Sequence, residues 1–550
     1  MKQKVLKVHP DDNVLVALSD LEQGETVTFE GKEYQIQNKI AAKHKFATTI
    51  LEPGAEVTMY GVLVGKAQSL IPQGGLISTE NLIHAAHGFE IGERKAGWNK
   101  PDVSKYQTKT FMGFHRPDGS VGTANYWLVV PMVFCENHNL EVLEEALVKQ
   151  LGYGQNETFA NQTKQLINLY KSGSDVNGIL NSQLSETDYV ASSDRLFPNV
   201  DGVKFLKHAG GCGGTRQDAI ALCGLLAGYI THPNVAGATV MSLGCQHAQV
   251  EILEEEIRKR DANFSKPFYV LEQQKIGSES KMLTSAIKQT FAGLVQANQI
   301  TRQPAPLSKL CIGLECGASD GFSGISANPA IGYTSDLLVA LGGSVILAEF
   351  PELCGVEQNI SDRCLTVESA ERFSGLMKLY AQRAEEAGSG FDMNPSPGNI
   401  KDGLITDAIK SAGAAKKGGT SPVVEILDYP EKVTKPGLNL LCTPGNDVES
   451  TTAEVASGAN IVLFTTGLGT PTGNPVTPVV KIATNTDMYT RMNDIMDINT
   501  GSIIEGDETI QQAGERILDY VIRVASGEVQ VSAVRRGQED FIPWKRGVSL

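Results

Sequence analysis

Short apolar runs alternate with longer amphipathic stretches along most of this chain. From Gly113 onward the runs WLVVPMVF, GATVMSLG, LCIGLEC, GSVILAEF, LNLLCTPG and NIVLFTTG are each bounded by Gly, Pro or polar residues. Between them the spacing predicts helices over Leu140–Leu151, Gln249–Lys259 and Thr366–Ala387. Strand-like runs alternating with helices indicate βαβ units and a mostly parallel sheet. Residues 1–92 follow another pattern, in which short strand-like runs are separated by Gly-Glu and Gly-Lys turns with little helix. The expected class is therefore α/β: a small β-rich domain over 1–92, a polar linker over 93–112, and two α/β domains over 113–302 and 303–550. The second boundary falls at TRQPAPLSK, which carries two prolines and no apolar periodicity. The Asn- and Ser-rich stretch 156–193 reads as a surface insertion with some helix.

Charge and cysteine usage narrow the function classes. The 550 residues carry 48 Lys and Arg against 63 Asp and Glu, a net charge of -15. That balance argues against a nucleic-acid partner or an anionic membrane surface. No uninterrupted apolar stretch reaches the roughly 18 residues a spanning helix needs. The start, MKQKVLKVHPDD, lacks the apolar core of a signal peptide. Nine cysteines without such a signal indicate a reducing, cytoplasmic setting, with thiols or metal ligands rather than disulfides. A small molecule is the expected partner, and a homo-oligomer is left open.

Candidate chemistry gathers where an apolar strand is followed by a thiol or carboxylate and a Gly-rich loop. Four segments have this form: KFLKHAGGCGGTRQD, with His208, Cys212, Arg216 and Asp218; VMSLGCQHAQ, with Cys245 and His247; LECGASDGFSGISANP; and VILAEFPELCGVEQ, with Glu349, Glu352 and Cys354. Parallel strands set their carboxyl ends along one edge, where ligands bind. Cys212, Cys245 and Cys316 could there hold one metal ion or an iron–sulfur cluster as thiolates. Cys135, Cys223, Cys311, Cys364 and Cys442 read as small buried hydrophobes. In the first domain Lys43-His44-Lys45 clusters an imidazole with two ammonium groups, which would favour the neutral, base-competent imidazole. NPSPGN, TPGNDVESTT and TTGLGTPTGNPVTPVVKIATN are dense in groups suited to a polyhydroxylated ligand. No Walker A loop or GxGxxG is present, so nucleotide binding is disfavoured.

Several blocks, DGSVGTANYW, the Gly-Cys motifs at Cys212 and Cys245, LECGASDGFSGISANP, NPSPGN, PGND and GTPTG…PVVKIATN, occur in the same order as in the altronate/galactarate dehydratases. The chain resembles that family across essentially its full length. Its first 92 residues, with His44 and Lys45, look like the SAF domain these enzymes carry. One departure is Ala124 in GTANYW, where many members have Arg.

The resemblance implies a hydro-lyase that converts D-altronate to 2-dehydro-3-deoxy-D-gluconate, with galactarate or another aldarate as the alternative substrate. It also implies Fe²⁺ or a similar divalent ion such as Mn²⁺; a [4Fe–4S] cluster on Cys212, Cys245 and Cys316 is the competing reading of the cysteines themselves. The proton α to a carboxylate is very weakly acidic, so the developing dianion calls for concentrated positive charge. On this reading Cys212, Cys245 and Cys316, with His208, hold the metal. His44, Lys45 and Asp320 are catalytic, and Arg216, Ser319, Ser323, Asn328, Asn446, Asp447 and Thr466 bind the polyol.

Overall fold

The computed structural model describes residues 3–154, 158–184 and 195–549. In the first domain Val5–Leu6, Val14–Ala17, Lys45–Ala47 and Leu76–Ile77 form an antiparallel sheet. Two hairpins accompany it, Thr26–Phe29 with Lys32–Gln35 and Glu56–Met59 with Val62–Ala67. Each turns through a pair of residues with positive φ, Glu30-Gly31 and Tyr60-Gly61. Two such residues match the right-handed twist of the flanking strands, which is why the glycine sits there.

The central domain is a four-stranded parallel sheet in the order Gly202–Phe205, Tyr126–Pro131, Val235–Ser242, Phe268–Glu272. The C-terminal domain is a seven-stranded parallel sheet in the order Val423–Leu427, Gly437–Leu441, Ser344–Leu347, Cys311–Cys316, Ile461–Thr466, Val479–Ala483, Ile498–Asn499. All six apolar runs of the sequence are strands of these sheets. From Cys311–Cys316 the chain fills one side of the sheet, adding Ser344–Leu347, then the edge strand Val423–Leu427, then Gly437–Leu441 between them, and starts again on the other side at Ile461–Thr466. The loops after these two strands therefore flank the crevice at which doubly wound sheets bind ligands.

The segment 93–112 is pinned rather than loose. Lys95 pairs with Asp362 at 2.9 Å, Lys109 with Asp519 at 2.6 Å, and Tyr106 is buried. Thr110–Gly113 then pairs antiparallel with Gln303–Pro306, so the strands entering and leaving the central domain lie side by side. The two prolines sit in an edge strand, where a missing N–H costs little. Within the expected insertion, Thr158–Lys171 and Val176–Leu180 are helices; its positions 156–157 and 185–193 lie outside the described residues. Among the described residues no helix is long and apolar enough to cross a membrane.

The two parallel sheets present their carboxyl edges on the same side. Asp218 opens the helix that follows the central strand Gly202–Phe205, and Asp428 follows the C-terminal strand Val423–Leu427. Arg546 joins them, its backbone N–H donating to Asp218 at 2.9 Å and its guanidinium to Asp428 at 3.1 Å.

Candidate active site

The loop after Cys316 carries the centre of the site. Gly317 lets Asp447 close in, since a Cβ there would fall 1.9 Å from the Asp447 carboxylate. Gly467, opposite, does the same for Asp320, at 2.2 Å. Asp320 is fully buried and its oxygens are occupied: Ser323 and Thr484 hydroxyls, the Phe322 N–H and the Asn485 amide all donate to it. Lys43 from the first domain completes the set, 3.0 Å from Asp320 and 3.0 Å from Asp402. So many partners make Asp320 an anchor for the first domain.

That anchor docks the 43–45 loop onto the C-terminal sheet. The His44 ring lies 3.0 Å from the Lys401 carbonyl, and the fully buried Lys45 donates to the Gly403 carbonyl at 2.6 Å. Burial lowers the Lys45 pKa to about 7, against the opposing pull of Asp320. His44 is also shifted down, chiefly by burial, with Lys45 and Lys43 adding to it. Gly321 and Gly403 make the docking possible, because a Cβ on either would meet the Lys43 carbonyl at 2.6 and 2.5 Å. Gly321→Ala should therefore lower turnover by about 10²-fold through displacement of the loop, while costing about 1–3 kcal/mol in stability. Steady-state kinetics beside denaturant unfolding would check both values.

Deeper in the crevice lies a buried cluster of acids and lysines that the sequence reading assigned only in part. Lys417 donates to Glu349 at 2.8 Å and to Cys316 at 3.0 Å, and Lys410 pairs with Glu352 at 2.6 Å. Glu349 holds a left-handed backbone at the end of Ser344–Leu347, φ 64°, which turns its side chain inward. Glu315 and Glu349 are pushed upward by burial and by neighbouring carboxylates. Burial also works against the Glu352 carboxylate, but Lys410 and Lys417 outweigh it and hold that pKa down. Asp447 is raised to about 7 by burial and by Glu349 and Glu352. Both oxygens of Glu315 and one of Glu349 are buried without a hydrogen-bond partner. Ligand atoms of Glu315, Glu349 and Asp447 lie within 4.8 Å of one another, as do those of Cys316, Glu349 and Glu352.

Cys212, Cys245, Cys316 and His208 do not gather around a single ion. Cys212 and Cys245 lie exposed at the edge of the central sheet, whereas Cys316 is buried in the other sheet, with its thiol raised to about 12 by burial. None of the groups whose ligand atoms come within 4.8 Å includes Cys212, Cys245 or His208 among the described residues. Both ring nitrogens of His208 are engaged, by the Pro131 carbonyl at 2.8 Å and the Gly210 N–H at 3.1 Å. Strand ends are visible in a sequence; which sheet each strand joins is not. Cys135 is exposed rather than buried, and Cys311 is only half-buried.

Most of the expected polyol contacts shape the loops. Asn328 bridges Gly413 and Thr465, Asn446 caps the helix Asp447–Ser457, and Thr466 and Ser323 close local turns. Ser319 keeps a buried hydroxyl without a hydrogen-bond partner, and Asp447 joins the acidic cluster. Arg216 is exposed on the first turn of its helix at the central edge. In NPSPGN, Asn394 accepts from Lys410 at 2.8 Å and Asn399 donates to the Ser319 carbonyl at 2.7 Å, so this motif supports the crevice. Ala124 precedes Tyr126–Pro131, at the amino edge away from the crevice, and its carbonyl faces Arg116. Lys410, Lys417 and Asp402 were the residues missed. Their only sequence signal was lysine or aspartate among small residues, in DAIKSAGAAKKGG and IKDG.

A crevice at the switch point of a doubly wound sheet, lined by buried acids and lysines and covered by a small β domain, defines an α/β enzyme site. Three family descriptions match the chain in order: altronate/galactarate dehydratase SAF domain over residues 3–85, D-galactarate dehydratase/altronate hydrolase second domain over 113–298, and D-galactarate/altronate dehydratase C-terminal domain over 307–549. The altronate dehydratase of Bacillus subtilis (strain 168) is 32% identical over 545 residues, 99% of each chain. That of Escherichia coli (strain K12) is 31% identical, again over 99% of each chain. The galactarate dehydratase (L-threo-forming) of Escherichia coli (strain K12) is 30% identical over 95% of this chain and 93% of its own. The chain belongs to the altronate/galactarate dehydratase family of hydro-lyases.

Proposed function

We propose that this protein dehydrates D-altronate to 2-dehydro-3-deoxy-D-gluconate. The observation that carries the reading is Lys45, a fully buried lysine whose pKa falls to about 7, delivered by the SAF domain to the switch-point crevice. A base poised near neutrality suits removal of a weakly acidic proton α to a carboxylate. Neutral Lys45 takes the C2 proton, and the electron pair moves to form the C2–C3 double bond. The Lys45 ammonium so formed gives that proton to the departing 3-hydroxyl, which leaves as water while His44 stays neutral on the same loop, and the enol then tautomerises to the 2-keto acid. Lys43, held between Asp320 and Asp402, supplies fixed positive charge near the loop.

Glu315, Glu349 and Asp447 are the residues that would hold the divalent ion implied by the family. Their buried oxygens converge, three oxygens of Glu315 and Glu349 lack hydrogen-bond partners, and an all-oxygen set suits Fe²⁺ or Mn²⁺. When bound, such an ion supplies positive charge against the developing dianion. Galactarate is the second reading, favoured by the near-full-length similarity to a galactarate dehydratase.

The test is anaerobic turnover of D-altronate beside galactarate, following 2-keto-3-deoxy acid with and without added Fe²⁺. Turnover of altronate alone is the expected result. Turnover of galactarate alone would replace the substrate, and failure on both by folded protein would overturn the reading.

A further inference from the structure

Three of the nine cysteines are exposed, Cys135, Cys212 and Cys245, and all three lie at one edge of the central sheet. Cysteine is among the residue types most often buried, so three solvent-facing thiols on neighbouring loops call for a reason. Cys135 follows Tyr126–Pro131, Cys212 follows Gly202–Phe205, and Cys245 follows Val235–Ser242, and these are three adjacent parallel strands.

Backbone hydrogen bonds lock the three loops together. The Phe134 N–H donates to the Gly210 carbonyl at 3.0 Å, and the His247 and Ala248 N–H groups donate to the Gly211 carbonyl at 3.0 and 3.2 Å. Gly211 takes φ 100°, and a Cβ on it would fall 2.2 Å from the Met132 carbonyl, so the cysteine-bearing loop presses directly on the segment before Cys135. Gly213 and Gly244, beside Cys212 and Cys245, also have positive φ. Gln274 donates its amide to the Cys245 sulfur at 3.3 Å, a contact of the kind that tunes cluster thiolates.

We propose that Cys135, Cys212 and Cys245 are the protein ligands of an iron–sulfur cluster of the [4Fe–4S] type. The three sulfurs do not gather within 4.8 Å as a set for a single ion would require, whereas a cubane engages thiolates at separate corners. Each thiol gives up its proton as iron binds. Three protein thiolates would leave the fourth iron without a protein ligand. The first turns of the helices Asn137–Leu147, Arg216–Thr231 and Val250–Arg260 follow the three loops and place the positive ends of their dipoles toward an anionic group. This cluster is distinct from the all-oxygen site of Glu315, Glu349 and Asp447, and its assembly does not depend on which substrate is turned over.

The experiment is anaerobic reconstitution of the full chain with equal amounts of Fe²⁺ and Fe³⁺ and with sulfide, followed by acid-labile sulfide analysis and visible absorption. The wild type should gain stoichiometric labile sulfide and broad visible absorption. Cys135→Ser, Cys212→Ser and Cys245→Ser should each lose most of both, while Cys316→Ser keeps them. Circular dichroism of each variant before reconstitution identifies folded protein, and the Cys135→Ser/Cys245→Ser double variant provides a second route to the same loss. Failure of the wild type to take up sulfide, or full retention of sulfide by the folded double variant, would overturn the proposal. Bound iron without sulfide would also overturn it and leave only the oxygen site.

Discussion

Lys45→Met should lower turnover by about 10²–10⁴-fold, the usual weight of a positioned general base. The same substitution should abolish the rising limb of the turnover–pH profile, which in the wild type is expected near pH 7. Lys45→Arg should fail equally, because a guanidinium stays protonated and cannot accept the proton. Stability offers an independent reading of the same group. In the folded chain the Lys45 pKa lies at about 7, against an ordinary value of 10.5. Between those limits the unfolded chain binds the extra proton, so the contribution of Lys45 to stability rises with pH across the window and is least favourable below it. Lys45→Met should flatten that slope, as measured by denaturant unfolding at a series of pH values. Unchanged turnover in folded Lys45→Met would assign proton removal elsewhere.

Lys417→Met should destabilise the protein by about 3–5 kcal/mol, because it strips a buried carboxylate of its counter-charge. Lys417 and Glu349 are each 1% exposed and 2.8 Å apart, and Lys417 also contacts Cys316. The carboxylate left behind would lie beside Glu315 and Glu352 with no compensating ammonium from Lys417. Adding Glu349→Gln to the variant removes that charge and should recover part of the loss, a non-additivity expected of groups in direct contact. Chemical unfolding of the two single variants and the double variant gives the coupling directly. Simple additivity would mean that Lys417 acts through packing rather than through charge.

The alternation of apolar runs and helical patterns determined the α/β class, because a fully buried parallel strand must be apolar along its length and its crossover helix must be amphipathic. The Gly-Lys turn at Gly31-Lys32 was legible for a local reason, since glycine accepts the positive φ that Gly31 adopts, whereas the positive φ of Glu30 and Tyr60 was not. Strand-end loops such as LECGASDG were legible too, being too rich in Gly, Ser and Asp to continue a strand. The Lys43-His44-Lys45 cluster also stood out, because its charges interrupt a small-residue segment.

Tertiary structure decided which of those loops meet. Cys212 and Cys316 follow the same local pattern, yet they end strands of different sheets, and strand order is set by long-range pairing that no local pattern encodes. The same pairing brings Lys417 from 101 positions away to Cys316, and Lys43 from 359 positions away to Asp402. Burial decided the rest. Lys45 and Lys417 are both lysines among small residues, but Lys45 is desolvated beside a carbonyl and loses proton affinity, whereas Lys417 sits among carboxylates and gains it. The sequence names the ionisable groups, and the dielectric and partners that the fold provides set what each can do.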